Sequence, residues 1–134
     1  MADKLVDILL AVKIENGAMV AHLQFSNVTS KKVHLDEQTI CFYKKTYDDL
    51  FLIKDEKGRI IDYAGAKVKR DIDPEYFQHL NPGEKIETSV NLSEVYEVKK
   101  GEKYTIQYST YHPDYLHEQE FTEIESNPVE IVYS

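Results

Sequence analysis

The chain has 134 residues, enough for one domain, and its 42% hydrophobic and 30% charged content is ordinary for a soluble globular protein. A net charge of −8 argues against nucleic acid and anionic lipid as partners and favours a basic one. The single Cys41 excludes an internal disulfide, and no run approaches the ~20 apolar residues of a membrane helix.

Val6, Ile8, Leu10, Val12 and Ile14 recur every second residue, with Asp7, Lys13 and Glu15 on the other phase. That alternation predicts a half-buried strand. Asn16-Gly17 follows, a hairpin signal because both residues tolerate positive φ. Met19, Ala21, Leu23 and Phe25 supply the returning strand. Asn27 to Lys32 is a polar turn, and Val33 to Leu35 starts the next strand. Residues 36–48 lack a clean period and read as an irregular crossing with Ile40 and Phe42 pointing inward. Cys41 lies in the apolar run Thr39-Ile-Cys-Phe-Tyr43 and reads as a buried, inert thiol.

Leu50 to Ile53, the turn Asp55-Glu-Lys-Gly58 and Arg59 to Tyr63 predict a second hairpin. Gly65 to Pro74 is loop-like. Tyr76 to Leu80 predicts a short strand, Asn81-Pro-Gly-Glu84 a tight turn, and Ile86, Thr88, Val90 and Leu92 another strand. Ser93 is positioned to cap one helical turn over 93–96. Val98, Gly101 and Tyr104, with Ile106 and Tyr108 alternating after them, resemble the tyrosine corner of Greek-key sandwiches. Residues 112–125 read as an acidic connection, and Pro128 opens a last strand to Tyr133. Short strands with frequent turns and no amphipathic helix predict an all-β fold, an immunoglobulin-like Greek-key β-sandwich of seven or eight strands over residues 1–134.

Several segments resemble a known group. Tyr63-x-Gly65, Val68-Lys-Arg70, Glu75-x-Phe77-x-x-Leu80, Gly83-Glu84, Leu92-Ser-Glu-x-Tyr96 and Tyr104-Thr-Ile106 look like the β-sandwich domain that precedes the catalytic domain of deuterolysin-like and peptidyl-Lys metalloendopeptidases. The catalytic zinc motif His-Glu-x-x-His is missing: His117-Glu118 is followed by Gln119, Glu120 and Phe121. The resemblance therefore implies an accessory or pro-domain alone, which assists or blocks a peptidase.

Two loops hold the candidate binding residues. Lys67, Lys69, Arg70 and Asp71 form a mixed-charge cluster, read either as protection of a strand edge or as a partner-binding loop. Tyr111, His112, Asp114 and Tyr115 offer aromatic contacts rimmed by acid. His112, His117 and nearby carboxylates match no established metal spacing, and Asp48-Asp49 and Asp71/Asp73 sit in no recognisable calcium loop. No Gly-x-Ser-x-Gly elbow or glycine-rich phosphate loop is present.

Charge is uneven. Residues 1–70 hold 12 Lys/Arg against 10 Asp/Glu, and residues 71–134 hold 4 against 14. The acidic second half is either a solvated surface or a face for a basic partner. Met1 to Leu10 lacks the basic lead and unbroken apolar run of a signal peptide. The chain as written reads as cytoplasmic, or as secreted if a leader was removed. Without a secretory route, Asn27-Val-Thr29 and Asn91-Leu-Ser93 match the glycosylation pattern by chance.

The expectation is a non-enzymatic protein-binding module without cofactor or metal. The leading reading is a stand-alone relative of a metallopeptidase pro-domain that binds or inhibits a peptidase by occluding its cleft. The alternative is a structural or accessory sandwich that assembles through sheet edges. A third class, binding of a small ligand or metal, predicts a thermal shift with zinc or calcium.

Overall fold

The computed structural model describes residues 6–68, 74–113 and 120–134. The described residues contain nine strands, two single-turn 3-10 helices and no α-helix. The strands are β1 (Asp7–Glu15), β2 (Ala18–Ser26), β3 (Val33–Asp36), β4 (Phe51–Asp55), β5 (Phe77–Leu80), β6 (Lys85–Asn91), β7 (Lys103–Pro113), β8 (Phe121–Glu125) and β9 (Val129–Val132). All their pairings are antiparallel. The fold is all-β, as the alternating pattern predicts. No helix among the described residues is long and apolar enough to cross a membrane.

The first sheet has the order β1-β2-β6. Its hairpin turns at Asn16 and Gly17, whose φ angles of 51° and 80° are those of a type I′ turn. From there the register runs without a slip from Glu15↔Ala18 to Asp7↔Ser26. Met19, Ala21, Leu23 and Phe25 of β2 are buried, as their spacing requires. Beyond β2 the Asn27 side chain is enclosed. Its Nδ2 donates to the carbonyls of Lys31 and Leu80, and its Oδ1 accepts from Thr29 N–H and Oγ1. An amide with this role cannot carry a glycan in the folded protein.

In the second sheet β7 is flanked by β4 on one side and by β8 and β9, end to end, on the other. Between Glu125, which pairs with Ser109, and Val129, which pairs with Ile106, three residues face two. This one-residue bulge frees Asn127 from the ladder. Its Oδ1 accepts from Leu10 N–H at 2.9 Å and its Nδ2 donates to the Leu10 carbonyl at 3.1 Å. The side-chain amide thus acts as a strand partner for β1 and joins the two sheets.

The core lies between the sheets. The Tyr108 ring of β7 meets Phe25 of β2 at 5.7 Å and Phe51 of β4 at 5.6 Å, both edge-on. Full burial of a side chain such as Phe25 stabilises by ~1.5–3 kcal/mol. β3 and β5 form a separate two-stranded sheet.

Local expectations fare unevenly. The Tyr104 hydroxyl accepts from Lys99 N–H at 2.7 Å across a turn containing Gly101 at φ 90°, giving the predicted corner bond. Cys41 is fully buried, and burial pushes its thiol up to about 12. The helical turn spans Leu92–Glu94 and its cap is Asn91, not Ser93. Asn91 Oδ1 accepts from Ser93 N–H, while Ser93 Oγ accepts from Met19 N–H on the neighbouring strand. The second hairpin is incomplete: its return arm contributes an isolated bridge, Lys54↔Ile60. Within residues 112–125, β7 continues to Pro113 and β8 begins at Phe121. The acidic composition masks β8 because Ile124 is its single buried residue.

Candidate partner-binding groove

Two neighbouring tyrosines organise the segment around Gly65. Tyr63 bridges to Tyr96, and their rings lie 5.2 Å apart. The Tyr63 hydroxyl donates to the Ala66 carbonyl at 2.5 Å, with Thr46 Oγ1 a further 3.0 Å away. The ring consequently folds over Gly65, where a Cβ would lie 2.6 Å from the Tyr63 hydroxyl. This is the physical reason for Tyr-x-Gly at this point: any side chain at 65 displaces the ring. Burial raises the Tyr63 phenol above its ordinary range.

Tyr96 carries the next link. Its hydroxyl donates to Asp49 Oδ1 at 2.6 Å and accepts from Phe51 N–H at 2.9 Å. Burial, then the Asp49 carboxylate, push its pKa far up, so it stays a neutral donor. One carboxylate of the Asp48-Asp49 pair is thereby committed to a structural bond. The loop after Tyr63 is tied at both ends, by Ala64 N–H to the Val95 carbonyl and by Val68 N–H to the Tyr47 carbonyl.

Against this tied loop lies the far half of β7. Alternation along the strand turns Tyr111 outward, 61% exposed, and His112 inward, 1% exposed. Phe121, opposite Pro113 at the start of β8, is 52% exposed. A groove of about 430 Å³ runs between the two elements, walled by Tyr47, Leu50, Val68, Tyr111 and Phe121, with Gln38, Asp48 and Thr110 as polar lining. Apolar rings with a few polar groups at the rim are the composition of a protein-contact surface.

The predicted site residues separate into three groups. Tyr111 lines the groove, and Lys67 is exposed on the loop that forms its other wall. His112 lies inside the fold, where its Nε2 accepts from Asp36 N–H at 2.8 Å. A nitrogen that accepts from a backbone N–H carries no proton, so the neutral ring holds its proton on Nδ1. The burial follows from the strand: the residue after an outward Tyr points to the core, whereas a loop imposes no such alternation. Lys69, Arg70, Asp71, Asp114 and Tyr115 lie outside the described residues.

Sequence reasoning overlooked Phe121, Val68 and Tyr47 as groove residues. Phe121 follows the run Glu118-Gln-Glu120 and was hidden by it, although an aromatic at the edge of an acidic run is a usable signal. Among the described residues no group of three His, Cys, Asp or Glu side chains is arranged to hold a metal ion. Comparison with protein-family models gives no match, and comparison with curated proteins gives none either.

Proposed function

We propose that this chain is an immunoglobulin-like Greek-key β-sandwich without catalytic activity that binds a protein partner through the groove of Tyr47, Val68, Tyr111 and Phe121. The observation that carries the reading is convergence. Two segments far apart in sequence, each within or beside a loop that holds candidate binding residues, wall one groove with the exposed apolar side chains Val68, Tyr111 and Phe121. Aromatic anchors of this kind commonly dominate binding energy. The rigid bonding of Tyr63, Tyr96 and Val68 favours a preformed surface, which lowers the ordering cost of association.

The partner class comes from the motif resemblance: a zinc metallopeptidase of the deuterolysin-like or peptidyl-Lys type, whose cleft the loops over 63–79 or 111–121 would enter or cover. The test measures binding and peptide hydrolysis with such a catalytic domain. One-to-one binding with inhibition is expected, and Tyr111→Ala and Phe121→Ala should each weaken it at least about tenfold. Leu9→Ala, an exposed apolar residue on β1, should leave it unchanged. Absence of binding at micromolar concentrations would remove the peptidase reading.

A second reading is assembly through sheet edges. It is favoured by β6, which among the described residues ends its sheet with β2 as its partner. A stable homodimer in light scattering, with no affinity for peptidases, would select it.

A further inference from the structure

In the small sheet, His34 of β3 stands directly opposite His79 of β5. Glu37 N–H donates to the Tyr76 carbonyl at 2.9 Å, which places the 37/76 pair in the hydrogen-bonded phase of the ladder. Antiparallel pairs alternate, so 35/78 and 33/80 share that phase, while 34/79 falls in the other. In that phase opposing side chains approach most closely, with Cα atoms about 4.5 Å apart. The imidazoles accordingly meet. Nδ1 of His34 and Nδ1 of His79 are 2.5 Å apart, and the rings are nearly perpendicular at 89° with centroids 4.6 Å apart. Two lone pairs at that distance would repel, so one proton lies between the nitrogens.

We propose that His34 and His79 form a binding site for a divalent late first-row transition-metal ion, held by the two Nδ1 atoms in place of the shared proton. Imidazole nitrogen is a preferred ligand of zinc, nickel and copper. With metal–nitrogen bonds of ~2.0–2.1 Å, two nitrogens on one ion stand about 3 Å apart or slightly more. The pair reaches that spacing by opening less than about 1 Å, a small ring rotation for an exposed His79 and a half-buried His34. The strand pairing fixes both Cα positions beforehand, so little ordering is left to the ion.

The protons balance. Of two neutral rings, the one with its proton on Nδ1 transfers it to Nε2 through solvent, and both Nδ1 lone pairs then face the ion. If the pair holds a second, excess proton, that proton is released to solvent on binding. Metal binding therefore weakens as pH falls. No third His, Cys, Asp or Glu joins the pair among the described residues. The remaining coordination positions go to water or to further donor groups. This site departs from the metal-free expectation of the sequence, and it lies on different residues from the groove, so neither proposal depends on the other.

The test titrates the full chain separately with Zn²⁺, Ni²⁺ and Cu²⁺ by calorimetry, and follows imidazole ¹⁵N shifts by NMR. One ion per chain is expected, with Cu²⁺ bound most tightly. The Nδ1 signals of His34 and His79 should move, and those of the solvent-accessible His22 should not. His34→Ala and His79→Ala should each lower affinity at least about tenfold. Both variants remove side chains that reach solvent, and His34→Gln, which keeps the size and polarity, serves as a second variant. Unchanged affinity in these variants, movement of the His22 signals alone, or no binding below millimolar ion would each overturn the assignment.

Discussion

The hairpin of β1 and β2 and the crossing between β3 and β4 both feed the core, yet they are held in opposite ways. The hairpin is local. Its turn residues accept positive φ, its register follows from that turn, and each strand shows period two. The crossing has no period and no strand. It keeps its path because side chains grip it, some from within the crossing and two, Tyr108 and Gln78, from distant strands. Asp36 Oδ2 accepts from Thr39 N–H and Oγ1, the Tyr108 hydroxyl donates to the Thr39 carbonyl at 2.6 Å, and the Glu37 carboxylate accepts from Tyr43 and Gln78. Cys41 and Lys44 sit at φ 56° and 62°, which a non-glycine residue adopts when its surroundings hold it there. Regular structure satisfies its own backbone; an irregular buried segment depends on side chains from elsewhere.

Removing the longest-range grip gives the largest contrast. Tyr108→Phe leaves the buried Thr39 carbonyl without its donor and should cost about 1–3 kcal/mol, read by chemical denaturation. Because Cys41 lies two residues from Thr39, its labelling by a thiol reagent should also accelerate in the native state as the crossing opens locally. A stability loss without faster labelling would show that the crossing does not open independently of the sheets.

Gly17→Ala tests the local side of the comparison. At φ 80° an alanine is strained, by about 1–2 kcal/mol. Thermal unfolding should report that loss, while Cys41 labelling in native conditions stays as in the parent chain. Faster labelling in this variant would make the hairpin and the crossing one cooperative unit.

The smallest effect comes from another local turn, Asp55 to Gly58. Asp55 Oδ1 accepts from Arg59 N–H and Lys57 N–H, and Oδ2 accepts from Arg59 Nε. The backbone bond from Arg59 leads in holding its carboxyl below the ordinary value of 3.8. A depressed folded-state pKa contributes stability that is present above the unfolded value. That contribution is lost as pH falls through the folded one. Asp55→Asn should therefore lower stability slightly at pH 7, where the contribution is present, leave it unaltered at the acid extreme, and flatten the profile below about pH 4. An unchanged acid limb would remove Asp55 from the account.

Within-turn chemistry was legible because its partners are near in sequence. Asn16-Gly17, Asn81 to Glu84 and the Tyr104 corner each join groups within five residues. The cap at Asn91 was misread by two positions for a tertiary reason: Ser93 is also a good capping residue, but its hydroxyl is engaged by Met19 N–H of β2. The groove was half legible. Tyr111 and Lys67 stand out as candidate binding residues, but nothing local shows that their segments meet. The inward turn of His112 was lost because β7 was expected to end before it.

By itself the sequence determined the all-β class, the register of the β1–β2 hairpin set by its tight turn, the buried thiol and the lack of a zinc-peptidase motif. These depend on periodicity and on the conformational range of single residues. Only the tertiary structure decided that Asn127 replaces a strand at the edge of β1, that His34 faces His79, and that Val68, Tyr111 and Phe121 share one groove. Each depends on which strands pair and in which phase. One residue of shift there would send every side chain to the opposite face.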